Sequence, residues 1–178
     1  MLKMMVNIVF LGLTAVCLAG SSPTSSPGDK GGDTTTNETG FVVRNIRIYG
    51  TRYRYQLYVP EDYTSRTNWP VILFLHGSGE RGDDGLAPTK FVIGNVIKSH
   101  KSWFPCLVIF PQCRKDADWT NHHMDALVMG VLDQTIKDYA VDTRRIYLTG
   151  LSMGGCGVWS LAAKHPGKFA ALVPVCGF

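Results

Sequence analysis

Ile146-Tyr147-Leu148-Thr149-Gly150-Leu151-Ser152-Met153-Gly154-Gly155 decides how the rest of this 178-residue chain is read. The first four residues form an apolar run that reads as a buried strand, and Met153 to Lys164 reads as a helix. Between them stands Gly-x-Ser-x-Gly. A strand that turns this sharply into a helix leaves Ser152 in a strained conformation with its hydroxyl exposed. Gly150 and Gly154 are required because a Cβ two residues to either side would collide with the turn. The N–H of Met153 then lies at a helix N-terminus, placed to stabilise an oxyanion. Ser152 is thus the candidate nucleophile, and Met153 a candidate oxyanion-hole donor.

Similar apolar runs lie upstream and downstream. Val71 to Leu75, Cys106 to Phe110 and Phe169 to Val175 lack alternation and are bounded by turn residues. Strands buried on both faces read this way, as in a parallel sheet. Helical stretches separate them, at Pro88 to Lys98, Met124 to Tyr139 and Met153 to Lys164. In the second, Leu127, Val131, Leu132 and Ile136 share one face. The N-terminal pair differs. Phe41 to Tyr49 and Thr51 to Val59 read as strands joined at Gly50, and Tyr53, Tyr55, Leu57 and Val59 alternate with Arg52, Arg54, Gln56 and Tyr58. That period of two predicts an antiparallel hairpin with one wet face, the arginines being solvated. The fold class is α/β: one domain over 41–178, a mostly parallel sheet entered by an antiparallel hairpin.

The loop after the first buried strand, His76-Gly77-Ser78-Gly79-Glu80-Arg81-Gly82, is the second centre of interest. Beside a Gly-x-Ser-x-Gly turn, this loop supplies the other oxyanion N–H, and glycine lets the backbone approach the substrate. Ser78 or Gly79 is the expected donor, Ser78 by preference. His76 closes a buried strand and precedes the nucleophile, so its expected work is to shape the loop rather than to move protons. Gly77, Gly79 and Gly82 also fit the dinucleotide pattern G-x-G-x-x-G. Three observations oppose that reading. Glu80, Asp83 and Asp84 would repel a pyrophosphate, no helix opens at Gly82, and the next strand ends in Pro111-Gln112-Cys113 with no acid for a ribose.

Composition narrows the classes further. The chain is 45% hydrophobic, 11% aromatic and 18% charged, enough apolar content to bury a core and to exclude wholesale disorder. The net charge of +4 is spread without a basic block, which argues against nucleic acid as a partner. Lys3 and the apolar stretch Met4 to Ala19, followed by Gly20-Ser21-Ser22-Pro23, read as a signal peptide over 1–19 and a secreted or periplasmic protein. The stretch is short for a stable membrane span, and Val16 is bulky for lipoprotein anchoring at Cys17. Residues 20–40 are nearly all Ser, Thr, Gly, Pro, Asp and Asn, a flexible leader. Cys106, Cys113, Cys156 and Cys176 allow three disulfide pairings among which sequence does not choose. No cysteine has zinc-ligand spacing, so no metal is expected.

The set LFLHGSGERG, VIFPQC, DTRRIYLTGLSMGG and HPGKFAALVPVCG resembles the α/β-hydrolase superfamily. The likeness runs from about Tyr53 to Phe178 and is nearest the branch of carboxylesterase/phospholipase-like, polyhydroxybutyrate-depolymerase-like and feruloyl-esterase-like enzymes and predicted secreted peptidases. It implies a serine esterase acting on small-molecule or polymeric carboxylic esters through an acyl-enzyme on Ser152, without a cofactor. It further implies an oxyanion hole from Met153 and the Gly77–Gly79 loop. Such enzymes order their triad Ser, then Asp or Glu, then His. After Ser152 this chain has no Asp or Glu, and its one later histidine, His165, ends the helix that follows. The resemblance therefore implies a domain lacking its last strands and inactive alone. A binding-only chain and a secreted serine peptidase are the alternatives. Trp119 is a substrate-pocket candidate or a packing residue, His122 and His123 are surface or capping residues, and Asp142 is a turn residue.

Overall fold

The structure, a computed structural model, describes residues 38–177. The expected signal segment, 1–19, and the leader up to residue 37 lie outside them. Glu38 carries an ion pair to Arg44 at 3.0 Å, and Gly40 already opens the first strand. Among the described residues six strands form one sheet: β1 Gly40–Ile48, β2 Thr51–Val59, β3 Trp69–Leu75, β4 Leu107–Phe110, β5 Val141–Leu151 and β6 Ala171–Val175. Among the described residues three α-helices accompany them: α1 Ile93–Ser99, α2 His122–Asp138 and α3 Met153–Lys164.

The strand order is β1-β2-β4-β3-β5-β6. The first two strands and β4 pair antiparallel, whereas β4-β3, β3-β5 and β5-β6 pair parallel. The expected α/β-hydrolase architecture is therefore the observed one. Tyr49 and Gly50 both have positive φ, 48° and 80°, which makes the β1–β2 connection a two-residue hairpin turn matched to strand twist. Tyr53, Tyr55, Leu57 and Val59 face the core as the alternation predicts. The other face of β2 is wet only at Arg52 and Arg54, because Gln56 and Tyr58 are buried too. The Thr89 hydroxyl donates to Gln56 Oε1, and the Phe41 ring lies 5.4 Å from that of Tyr58.

That Thr89 contact also shortens a helix. Instead of one helix over Pro88 to Lys98, a single 3₁₀ turn at Ala87–Thr89 is pinned to β2 and α1 starts only at Ile93. Val92 turns the chain between them with φ 47° and ψ −121°, an unusual conformation for a β-branched residue. Two residues on, a Cβ on Gly94 would stand 2.3 Å from Thr89 O. β5 is longer than its apolar run because residues 142–145 bulge opposite Pro70, which has no N–H to pair. Asp142 holds the bulge, its Oδ1 accepting from Arg144 N at 3.0 Å and its Oδ2 from Arg145 Nε at 2.9 Å. Pro174 is tolerated in β6 because, among the described residues, this strand pairs on one side only, with β5.

On one face, α2 lies against β1 and β5 through Met124, Leu127, Val128, Val131 and Leu132. Helix α3 lies against β3, β5 and β6, with Val158 and Leu161 in the same core. The carboxyl ends of β3, β4 and β5 share one rim, the place where sheets of this kind carry their sites.

Candidate active site

At that rim β5 delivers Ser152. Its φ of 55° and ψ of −116° are the strained turn that the glycine spacing predicts, and the residue is exposed. The glycines are forced by close approach. A Cβ on Gly150 would lie 2.4 Å from Gly154 O, and one on Gly154 would lie 2.0 Å from Leu75 O. The turn is fastened on both sides, since Ser152 N–H donates to Val175 O at 2.8 Å and Ser152 O accepts from Cys156 N at 3.1 Å. Met153 is the first residue of α3, where helix N–H groups have no partner within the helix.

The neighbouring strand β3 delivers His76 and Gly77. A Cβ on Gly77 would sit 3.9 Å from Ser152 Cβ and 3.6 Å from Leu151 O, so the loop lies directly beside the serine. Ser78 and Gly79, both exposed, begin a 3₁₀ turn at Ser78–Glu80. The structure thus brings together Ser152, Met153, Ser78 and Gly79, four of the five residues singled out from sequence.

Trp119, the fifth, is completely buried and presents no surface to a substrate. Its indole N–H donates to His76 O at 2.9 Å, and its ring meets the imidazole edge-on at 4.9 Å. It supports the loop from beneath, the packing alternative. His76 is also committed. Its Nε2 accepts from Cys113 N at 3.0 Å, so Nδ1 carries the proton and donates to Gly77 O at 2.6 Å. Burial lowers its pKa to about 4, and the ring is neutral at physiological pH with no nitrogen left for proton transfer.

His165 is carried away by α3, whose 12 residues span about 18 Å. There its Nε2 pairs with Asp125 Oδ1 at 2.7 Å, tying α3 to α2. His122 and His123 are exposed at the start of α2 and face Tyr49. Cys106 and Cys113 are buried, Cys156 is half-buried and Cys176 is exposed, and no disulfide joins any two of them. Burial pushes the Cys113 thiol up to about 12, which keeps it protonated and inert. Among the described residues no group of three His, Cys, Asp or Glu is arranged to hold a metal ion.

Sequence reasoning missed Gln112. It is buried, its Oε1 accepting from Gly85 N at 2.6 Å and its Nε2 donating to Glu80 O at 3.0 Å. With the bond from Gly82 N to Cys113 O at 2.9 Å, it straps the loop over 80–85 to the end of β4. The available signal is a lone amide at the end of an otherwise apolar run.

Comparison with known proteins agrees with this geometry. The model of the esterase family, described as "putative esterase", matches residues 47–177. A bifunctional acetylxylan esterase/xylanase, XynS20E, of Neocallimastix patriciarum is 35% identical over 121 residues, covering 62% of this chain and 16% of that protein. Poly(3-hydroxyalkanoate) depolymerase C of Paucimonas lemoignei is 26% identical over 123 residues, covering 62% of this chain and 28% of its own. The crystal structure of a thermostable esterase superposes with a TM-score of 0.68 at 33% identity, over 77% of this chain and 41% of that one. The chain spans less than half the length of each of these three. With the strand order, the strained serine and the adjoining glycine loop, the match over 47–177 means that this chain belongs to the esterase family of the α/β-hydrolase superfamily.

Proposed function

We propose that the protein is a carboxylic ester hydrolase with Ser152 as its nucleophile. The observation that carries this reading is the strained, exposed Ser152 at a helix N-terminus beside Gly77. Ser152 Oγ attacks the acyl carbonyl and loses its proton to a base. The oxyanion is held by the N–H of Met153 and that of Ser78 or Gly79, and the alcohol then departs to leave an acyl-enzyme that water hydrolyses. The relatives act, by their names, on acetylxylan and poly(3-hydroxyalkanoate), which favours polymeric esters as substrates. The apolar stretch behind Lys3, followed by small polar residues, favours export.

The base is the open position. Both nitrogens of His76 are engaged, His165 pairs with Asp125, and no acid follows Ser152 in these 178 residues. A serine hydroxyl without a base is a weak nucleophile. We therefore propose that this chain alone turns esters over poorly, the same observation that favours binding without catalysis as the second reading.

Two measurements separate these statements. A fluorophosphonate probe, with imidazole supplied as an external base, labels the parent and not Ser152→Ala. Equal labelling of the two overturns the nucleophile. Without imidazole, turnover of p-nitrophenyl acetate by the parent stays within tenfold of the Ser152→Ala background. Ser152-dependent turnover near a typical enzyme value of about 10 s⁻¹ overturns the claim of low activity and leaves the nucleophile standing.

A further inference from the structure

The arginines of β2 do not stand on an idle wet face. β2 runs antiparallel to β4, with Gln56 opposite Phe110, so Arg52 and Arg54 project past the carboxyl end of β4. That is the rim to which β3 and β5 bring Gly77 and Ser152. Arg114 reaches the same place from the segment after β4. Asn45 stands opposite Arg54 across the hairpin, and Asp83 comes from the loop after β3. These five residues line a cleft of about 400 Å³, within the size range of small-molecule sites.

Three guanidiniums face one carboxylate, and that carboxylate is loosely held. Asp83 lies 3.6 Å from Arg114 Nη1 with its side chain 78% exposed, a weak pair in water. Arg114 is positioned by other means. Its Nη2 donates to Arg52 O at 2.6 Å, and its guanidinium lies 4.5 Å from the Tyr53 ring centre. Arg52 Nε donates to Asn45 Oδ1 at 3.1 Å, and among the described residues no carboxylate lies within ion-pair distance of Arg52 or Arg54. Like charges so placed repel one another until an anion enters. Planar guanidinium forks match a carboxylate in two-point hydrogen bonds.

The cleft is mechanically joined to the serine loop. A Cβ on Gly85, whose φ is +68°, would stand 2.8 Å from Arg54 Cβ, so the loop rests on the stem of that arginine. Gly85 is in turn bonded to Gln112, which holds Glu80 O. From β5 across β3 and β4 to β2 is three strand steps, about 14 Å.

We infer that the Arg52–Arg54–Arg114 cleft is a carboxylate-binding subsite for an oligomeric ester that carries a free acid remote from the bond attacked at Ser152. Its catalytic purpose rests on the ester-hydrolase reading, whereas its anion binding does not. A small ester cannot reach both points, but an acidic oligosaccharide or a polyester segment with a terminal carboxylate can.

Titration calorimetry on the full chain tests this with four probes: trigalacturonate, the linear trimer acid of 3-hydroxybutyrate, neutral cellotriose and inorganic sulfate. Binding of either acid, weakened between 50 and 300 mM salt, supports the subsite, and the acid that binds identifies the polymer class. Arg54→Gln weakens that binding five- to tenfold, Arg52→Gln does likewise, and Arg54→Lys, which keeps charge but not the fork, falls between. Thermal melts confirm that each variant is folded, and Arg52→Gln, at an exposed position, carries the test if Arg54→Gln is not. Neither acid binding, cellotriose binding as well as the acids, sulfate binding as tightly as they do, or both glutamine variants binding like the parent overturns the inference. Ser152→Ala binds the acid unchanged. Acid binding that survives alongside failure of Ser152 labelling overturns the hydrolase reading alone.

Discussion

Replacing His76 removes both a packing element and a pH sensor, and the two effects separate cleanly. The ring satisfies two buried backbone groups, Cys113 N–H and Gly77 O, and is itself 1% exposed. In His76→Leu the Cys113 N–H loses its partner, at about 1–3 kcal/mol, and Gly77 O keeps only the long bond from Glu80 N at 3.5 Å. In His76→Gln the side-chain oxygen can still accept from Cys113 N–H, and most of that loss is spared. The pH effect is common to both variants. An unfolded His76 takes up a proton near 6.5, whereas the folded ring does not until about 4. A native pKa below the unfolded one means that stability is complete above pH 6.5 and declines as pH falls towards 4. At pH 5.0, 1.5 pH steps below the unfolded pKa, the ring accounts for a loss of about 2 kcal/mol relative to pH 7.5. Urea unfolding followed by tryptophan fluorescence at pH 7.5, 6.5, 5.5 and 5.0 measures it. Every other titrating group is common to parent and variants, so their difference isolates His76. Both variants should be less stable at pH 7.5, and both should lose about 2 kcal/mol less than the parent on going to pH 5.0. Parallel pH curves would refute the buried, neutral ring.

Gly154→Ala places a Cβ 2.0 Å from Leu75 O, a clash that the strand and helix cannot relieve separately. It should cost more than about 3 kcal/mol, read as a large drop in the thermal midpoint. Gln112→Leu leaves Gly85 N–H and Glu80 O without their strap, and should cost about 2 kcal/mol while speeding amide hydrogen exchange over 80–86. Unchanged exchange there would show that the loop is held by something else.

The parts legible in the sequence are those written in local patterns. Gly150-x-Ser152-x-Gly154 specifies a strand-to-helix turn through sterics within five residues, and the unbroken run Val71 to Leu75 announces a strand buried on both faces. The alternation in β2 likewise announces the hairpin. What escaped depends on residues far apart in the chain. The late start, at Ile93, of the helix expected over Pro88–Lys98 follows from the Thr89 hydroxyl finding Gln56, 33 residues away. Trp119 is buried because His76 O, 43 residues away, accepts its N–H. Gln112 looks idle until the loop over 80–85 folds onto it, and Arg52 and Arg54 look solvated until β4 brings Arg114 beside them. Each is a matter of register and long-range packing, which periodicity does not encode.

Val92 and Ser152 share nearly the same backbone, φ 47° and ψ −121° against 55° and −116°. Each precedes a helix, and each is followed two residues on by a glycine crowded against a carbonyl, Thr89 O for Gly94 and Leu75 O for Gly154. They differ two residues before, where Ser152 has Gly150 pressed on Gly154 O and Val92 has the exposed Lys90. The downstream glycine therefore belongs to the geometry of entering a helix through this kink, while the upstream one belongs to a strand lying flush against that helix. One polypeptide thus contains the corner proposed to be reactive and, at Val92, a second corner of the same backbone shape. A serine grafted at Val92 would inherit the dihedral angles of Ser152 without the glycine loop that lies beside it.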